Sequence, residues 1–261
     1  MTARTHALPR LSFRFVPVWG RNFRVWRKLW LPSILGNLAD PMIYMLGLGY
    51  GLGSLLPSID GVSYIMFLAS GTVSLSTMNS ATFETLYSSF SRMHVQKTWD
   101  AIMNAPVELD DVVLAELVWA TTKAILSGIA ILVVAWTLGL ASWPLSLAVV
   151  AVLPLIGLTF GALGLVVTAV SPSFDFFMYY FTLFITPMTM LCGVFYPIEQ
   201  LPAALQWVAQ FLPLTHAVLL VRPLMLGEVP TYAAVHVLAL LAFAAVAFYA
   251  AVVLFRRRLL K

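Results

Sequence analysis

At 261 residues, 61% of them hydrophobic and 10% charged, with a mean hydropathy of +0.92, the chain falls outside the soluble globular class, where about a quarter of residues are charged. That composition calls for a polytopic membrane protein, and the net charge of +4 is read as lipid-surface attraction and membrane orientation, with no nucleic-acid partner. A single cysteine, Cys192, excludes an internal disulfide and a cysteine metal cluster.

In residues 1 to 31, Arg10, Arg14, Arg21, Arg24, Arg27 and Lys28 interrupt every apolar run. A cleavable signal is therefore not expected, and the N-terminus should persist. At about 100° per residue, Trp19, Phe23, Trp26 and Trp30 share one helical face while Arg21, Arg24 and Lys28 share the opposite one. Residues 18 to 31 thus predict an amphipathic interface helix lying flat on the cytoplasmic surface, either as a plain anchor or as a dock for a cytoplasmic partner.

A hydrocarbon core of roughly 30 Å needs about 20 apolar residues per helix. Six runs qualify, at 32 to 56, 62 to 83, 112 to 136, 145 to 170, 176 to 194 and 232 to 255. The expected fold is all-α, with a transmembrane domain over 32 to 255 and a basic tail at 256 to 261. The first run ends in Gly47, Gly49, Gly51 and Gly53, a row that suits either helix packing or a subunit contact. A short loop follows, from Pro57 to Gly61.

The connection from 84 to 111 is the one sizeable polar loop facing the cytoplasm. Residues 85 to 104 lack helix breakers and predict one short helix, and Pro106 stops it by disfavouring helix at Ala105. Glu84, at the end of the second run, needs a partner, and Arg92, two turns on, is the expected one. Asp110 and Asp111 fall at the start of the third run, where a helix dipole favours negative charge. Asp40, Glu84, Glu116 and Lys123 are scattered over three runs with no evident proton wire.

Ser171-Pro172-Ser173-Phe174-Asp175 opens the fifth run, in which Phe176, Tyr180 and Phe184 recur at i, i+4 and i+8. The stripe suits sugar rings or acyl chains of a cargo, and equally a lipid-facing or packed surface. From 193 to 230, Pro197, Pro202, Pro213, Pro223 and Pro230 come too close together for one spanning helix. Each removes a backbone donor and clashes with the preceding turn, so this stretch must break repeatedly.

Counting Lys and Arg gives seven before residue 32, two in the 84 to 111 connection and four after residue 255, against Arg222 alone in the opposite loops. This bias places both termini in the cytoplasm. No GxxxxGK[ST] phosphate loop, HExxH metal motif or GxSxG nucleophile turn occurs, and His6, His94, His216 and His236 are far apart in sequence. The chain is therefore expected to be non-catalytic, with no metal site and no cofactor of its own. An ion-coupled secondary transporter, or a membrane enzyme using Asp175 or Glu199, are the competing classes.

The order of a basic interfacial helix, six runs, a polar loop after the second and a broken apolar stretch before the sixth resembles the permeases of ABC-2 type exporters. Ser171-Pro172-Ser173-Phe174-Asp175-Phe176-Phe177, Ile185-Thr186-Pro187-Met188, Gly193-Val194-Phe195-Tyr196-Pro197, Leu201-Pro202, Leu212-Pro213-Leu214-Thr215-His216 and Arg222-Pro223 are similar to the NodJ-type permeases of lipooligosaccharide export. The resemblance implies a homodimer in the bacterial inner membrane that works with a separate ATP-binding subunit carrying ATP and Mg. Its cargo would be an amphiphilic glycan, with other lipids, polysaccharides or drugs as alternatives. It further implies that Arg92, His94, Gln96, Lys97, Trp99, Asp100, Asn104 and Pro106 meet the ATPase subunit. Arg21, Phe23, Arg24, Trp26 and Lys28 would form the interface helix. Re-entrant helices near the external face, over 194 to 230, would turn at Gly193, Pro197, Pro202 and Pro213.

Overall fold

The computed structural model describes residues 6–56, 58–59 and 61–260, and helix dominates them. Helix α1 (Phe15–Trp26) gives way to a 3-10 turn, Arg27–Leu29, and then to α2 (Trp30–Met42). The interface helix thus begins earlier than residue 18 and tightens at Arg27 instead of running on to 31. Pro41 sits inside α2, and the chain then widens into a π-helical segment, Ile43–Leu48. Proline removes a backbone donor and crowds the preceding turn, and a helix departs from regular α geometry at such a point.

The loop expected at 57 to 61 falls largely within a small hairpin in which Ser58–Ile59 pairs antiparallel with Val62–Ser63, Ser58 opposite Ser63. Gly61 turns it at φ +80°, and Pro57 lies outside the described residues. The architecture is therefore helical with one two-stranded addition, where helices alone were expected.

Helix α3 (Tyr64–Phe83) continues through π-helical Glu84–Ser89 and Ser91–Val95 before the backbone reverses at Lys97, φ +52°, into α4 (Thr98–Met103). The single helix predicted over 85 to 104 is thus an extension of α3 followed by a break and a separate short helix. Nothing local marks the break, because Lys97 is neither glycine nor proline. The buried contacts of Trp99, described below, are what turn α4 inward.

Next come α5 (Leu109–Thr137), a 3-10 turn Leu145–Ala148, and α6 (Val149–Val170). The fifth run is α7 (Asp175–Tyr180), π-helical Phe181–Ile185 and α8 (Thr186–Leu191). Beyond a 3-10 turn, Ile198–Gln200, lie α9 (Ala203–Gln210) and α10 (Pro213–Leu226), bent by 87° to each other. The chain closes with α11 (Ala233–Leu259). Arg256, Arg257 and Arg258, expected in a tail, are therefore helical, while Lys261 lies outside the described residues.

Among the described residues, three helices are long and apolar enough to cross a bilayer: Leu109–Thr137, Leu145–Val170 and Ala233–Leu259. The bent pair α9 and α10 makes a fourth if counted as one span. The first and fifth runs are helical but interrupted, and α3, 20 residues long, is diluted by Ser and Thr.

Packing follows the logic of apolar surroundings, where close backbone approach and polar bonds between helices do the work of holding the bundle. At Gly164 a Cβ would stand 2.1 Å from Thr85 Oγ1, so only glycine lets α6 approach the α3 extension this closely. Thr168 Oγ1 then donates to the Thr85 carbonyl at 2.8 Å, and Ser76 and Ser127 share a hydroxyl bond of 2.8 Å. Two apolar clusters result. One is centred on Met78, Leu153, Phe160 and Leu240, and the other on Phe90, Leu117, Phe177 and Phe255.

Candidate functional site

Glu84 and Arg92 lie eight residues apart, and Glu116 and Lys123 seven apart, so each pair shares a face two turns along its helix. Where the α3 extension meets α5, the two faces interlock. Glu84 Oε1 accepts from Arg92 Nη2 at 2.8 Å and from Trp119 Nε1 at 2.8 Å, while its Oε2 accepts from Lys123 Nζ at 2.8 Å. Glu116 Oε1 accepts from Arg92 Nε at 2.9 Å and Trp99 Nε1 at 3.2 Å. Its Oε2 accepts from Ser89 Oγ at 2.8 Å and from Arg92 Nη2.

Two carboxylates, 3% and 1% exposed, are therefore matched by two cations and bonded on every oxygen. Such satisfaction is what makes buried charge tolerable. The pair of Glu84 and Arg92 was anticipated. Glu116 and Lys123, read in sequence as scattered, belong to the same cluster, and their seven-residue spacing, facing the eight-residue spacing of Glu84 and Arg92, was the signal that went unused.

α4 hangs from this cluster by one side chain. Trp99 is fully buried, bonds Glu116 and packs at a tilt against Phe255 of α11, 5.0 Å between ring centroids. Around it His94, Gln96, Lys97, Asp100, Asn104 and Pro106 are exposed. His94 lies on Phe90 at 5.1 Å. Of the eight residues assigned to a partner contact, Arg92 and Trp99 thus face inward and the other six form an outer surface.

At the start of α5, Asp111 Oδ2 accepts from the Glu108 backbone N–H at 3.3 Å, which is the capping role expected of it. Asp110 instead pairs with Arg256 of α11. The N-terminal residues are strapped to the same point. Arg10 N–H donates to Asp110 at 2.8 Å, Ser12 Oγ donates to Asp111 at 2.7 Å, and Arg256 donates to the carbonyl of Ala7.

The aromatic face of α1 packs on protein. Trp19 Nε1 donates to Thr122 Oγ1 at 3.1 Å, and Phe23 and Trp26 meet Trp119 edge-on at 6.4 and 6.0 Å. Arg24 and Lys28 are exposed, whereas Arg21 turns toward a cleft between α1, the α3 extension and α5.

Tyr180 and Phe184 stack at 5.8 Å; Phe184 is 63% exposed and Phe176 also points out, whereas Tyr180 is half-buried against the apolar clusters. Gly193 takes φ +75°, a conformation that favours glycine, while Pro197 and Pro202 directly precede Ile198–Gln200 and α9 and Pro213 is the first residue of α10. Arg222 is not in a loop. It lies on α10, 3.7 Å over the Phe67 ring, and donates to Ser70 Oγ at 3.0 Å and to the Gly193 carbonyl at 2.6 Å. His216 and His236, distant in sequence, share a ring-nitrogen bond of 2.9 Å.

Apolar helices of spanning length around a buried, charge-balanced network define an integral membrane protein. The residue pattern of the ABC-2 type transporter family matches residues 15–226, and the chain belongs to that family of transport permeases. It is 48% identical to Nodulation protein J of Rhizobium meliloti over 254 residues, covering 97% of each chain. The same identity and coverage relate it to Nodulation protein J of Bradyrhizobium diazoefficiens. The inner membrane transport permease YadH of Escherichia coli is 24% identical over 208 residues, 77% of this chain and 78% of that one.

Proposed function

We propose that the chain is the membrane subunit of an ATP-driven exporter that carries an amphiphilic glycan, such as a lipooligosaccharide, outward across the bacterial inner membrane. Six spans, both termini in the cytoplasm and a homodimer complete the reading. The positive-inside bias and the helical character of all six apolar runs support it. Hydrolysis of ATP, with its Mg, belongs to a separate ATP-binding subunit. The cargo class rests on the similarity to the NodJ-type permeases.

The observation that carries the reading is the path from surface to bundle. An exposed helix, α4, is rooted through Trp99 in Glu116, and Glu116 is joined by Arg92 to Glu84. A push on α4 by a partner reaches α5 and the α3 extension through charge-assisted bonds, which are stronger than neutral ones and directional. The outer residues His94, Gln96, Lys97, Asp100, Asn104 and Pro106 are the partner's contact surface. The stacked Tyr180 and Phe184, with Phe176, suit a glycan or acyl chain along the exit path, and the turns at Gly193, Pro197, Pro202 and Pro213 close it externally.

Co-purification with a separate ATP-binding subunit, followed by reconstitution, tests this. Vanadate-sensitive ATP hydrolysis stimulated by a lipo-chitin oligosaccharide is the expected result. Proton-driven accumulation by the chain alone would overturn it.

A further inference from the structure

The cleft beside α1 encloses about 560 Å³ and carries a donor surplus that the proposed coupling path does not use. Its floor is the balanced cluster, in which Glu84 and Glu116 offset Arg92 and Lys123. Arg21, on the α1 side, is the cation left over. Among the described residues no carboxylate lies within 4 Å of it, and its Nη1 donates to Asn22 Oδ1 at 3.1 Å. Asn22 also lines the cleft, is only 4% exposed, and has an Nδ2 with no acceptor. A buried amide donor without a partner is costly, and here it stands next to an unneutralised guanidinium. Partial burial and the charge of Arg92 hold Arg21 below its ordinary pKa, against the pull of Glu116.

Both deficits ask for the same thing, an anion rich in acceptor oxygens. The surroundings add a second requirement. Trp26 and Trp119 line the cleft as apolar faces, while Val25 and Leu29, 55% and 64% exposed, continue from it along the outside of the molecule. A soluble anion would leave that apolar strip bare. An acyl chain would cover it.

We propose that this cleft binds an anionic phospholipid, its phosphate accepting from Arg21 and Asn22 and its acyl chain lying on Val25 and Leu29. The site is distinct from the path assigned to cargo and does not require that the chain export anything. Arg24, one turn along α1, is exposed and donates to the Gly20 carbonyl at 3.2 Å, so it contributes general basic charge without lining the cleft.

The test is lipid retention by the purified full chain in mild detergent, offered equal phosphatidylglycerol and phosphatidylcholine and read by native mass spectrometry. Wild type should retain phosphatidylglycerol about fivefold over phosphatidylcholine, the scale of one well-placed cation. Arg21→Gln and Asn22→Asp should each abolish the preference, and Arg24→Gln should keep it. Excess inorganic phosphate should not displace the lipid. No preference in wild type overturns the site, and an equal loss in Arg24→Gln reduces it to unspecific basic attraction, which also overturns it. Displacement by phosphate alone overturns the lipid assignment. The wild-type measurements stand even if a variant misfolds, and none of them needs an ATP-binding subunit.

Discussion

Arg92 touches two carboxylates and a serine and ties the α3 extension to α5, so its removal leaves Glu116 without a cation and Glu84 with Lys123 alone. Glu116 accepts from Arg92, Ser89 and Trp99, and so joins α5 both to the α3 extension and to α4. Glu116→Ala leaves a buried guanidinium half-paired and should lower stability by about 3–5 kcal/mol, the usual scale for breaking a buried pair from one side. Glu116→Gln keeps an acceptor and the side-chain volume and should cost distinctly less. Thermal unfolding of the two variants in detergent checks the order, and equal losses would mean that packing, not charge, sets the role of this residue.

Two elements invite separate tests. α4 is six residues long, too short to hold itself, so its position depends on Trp99. Trp99→Phe keeps an aromatic ring against Phe255 and removes the bond to Glu116. The expected outcome is an assembled complex whose ATP hydrolysis has lost most of its stimulation by cargo, and full stimulation would dismiss the path through Glu116. The α3 extension and α6 meet at Thr85 and Gly164. Gly164→Ala should destabilise the bundle by about 1–3 kcal/mol, as overpacking does. Adding Thr85→Ala, which removes the hydroxyl in the way, should recover part of that loss in the same melting assay.

For the whole molecule, orientation is the quantity that everything else assumes. In a Cys192→Ser background, Asn104→Cys and Glu199→Cys place thiols at two exposed positions on either side of the proposed membrane. A membrane-impermeant maleimide added to intact spheroplasts should label Glu199→Cys at once and Asn104→Cys only after lysis. The reverse pattern would invert the topology, and labelling of both from outside would break the six-span count.

The helical class, the apolar runs and the amphipathic α1 were legible because they depend on composition and local period, which are properties of neighbouring residues. So were the turns at Gly193, Pro202 and Pro213, since glycine and proline act on their own backbone. The break at Lys97 was not legible, because no residue there demands it and the pull comes from Trp99 meeting Glu116 and Phe255. Nor was the joining of Glu116 and Lys123 to the pair of Glu84 and Arg92, the packing of Arg222 over Phe67, or the strap from Ala7 to Ser12 onto α5 and α11. Each of these joins residues far apart in the chain. Period and propensity say which face a charge is on, and only the packing of one helix on another says which charge it meets.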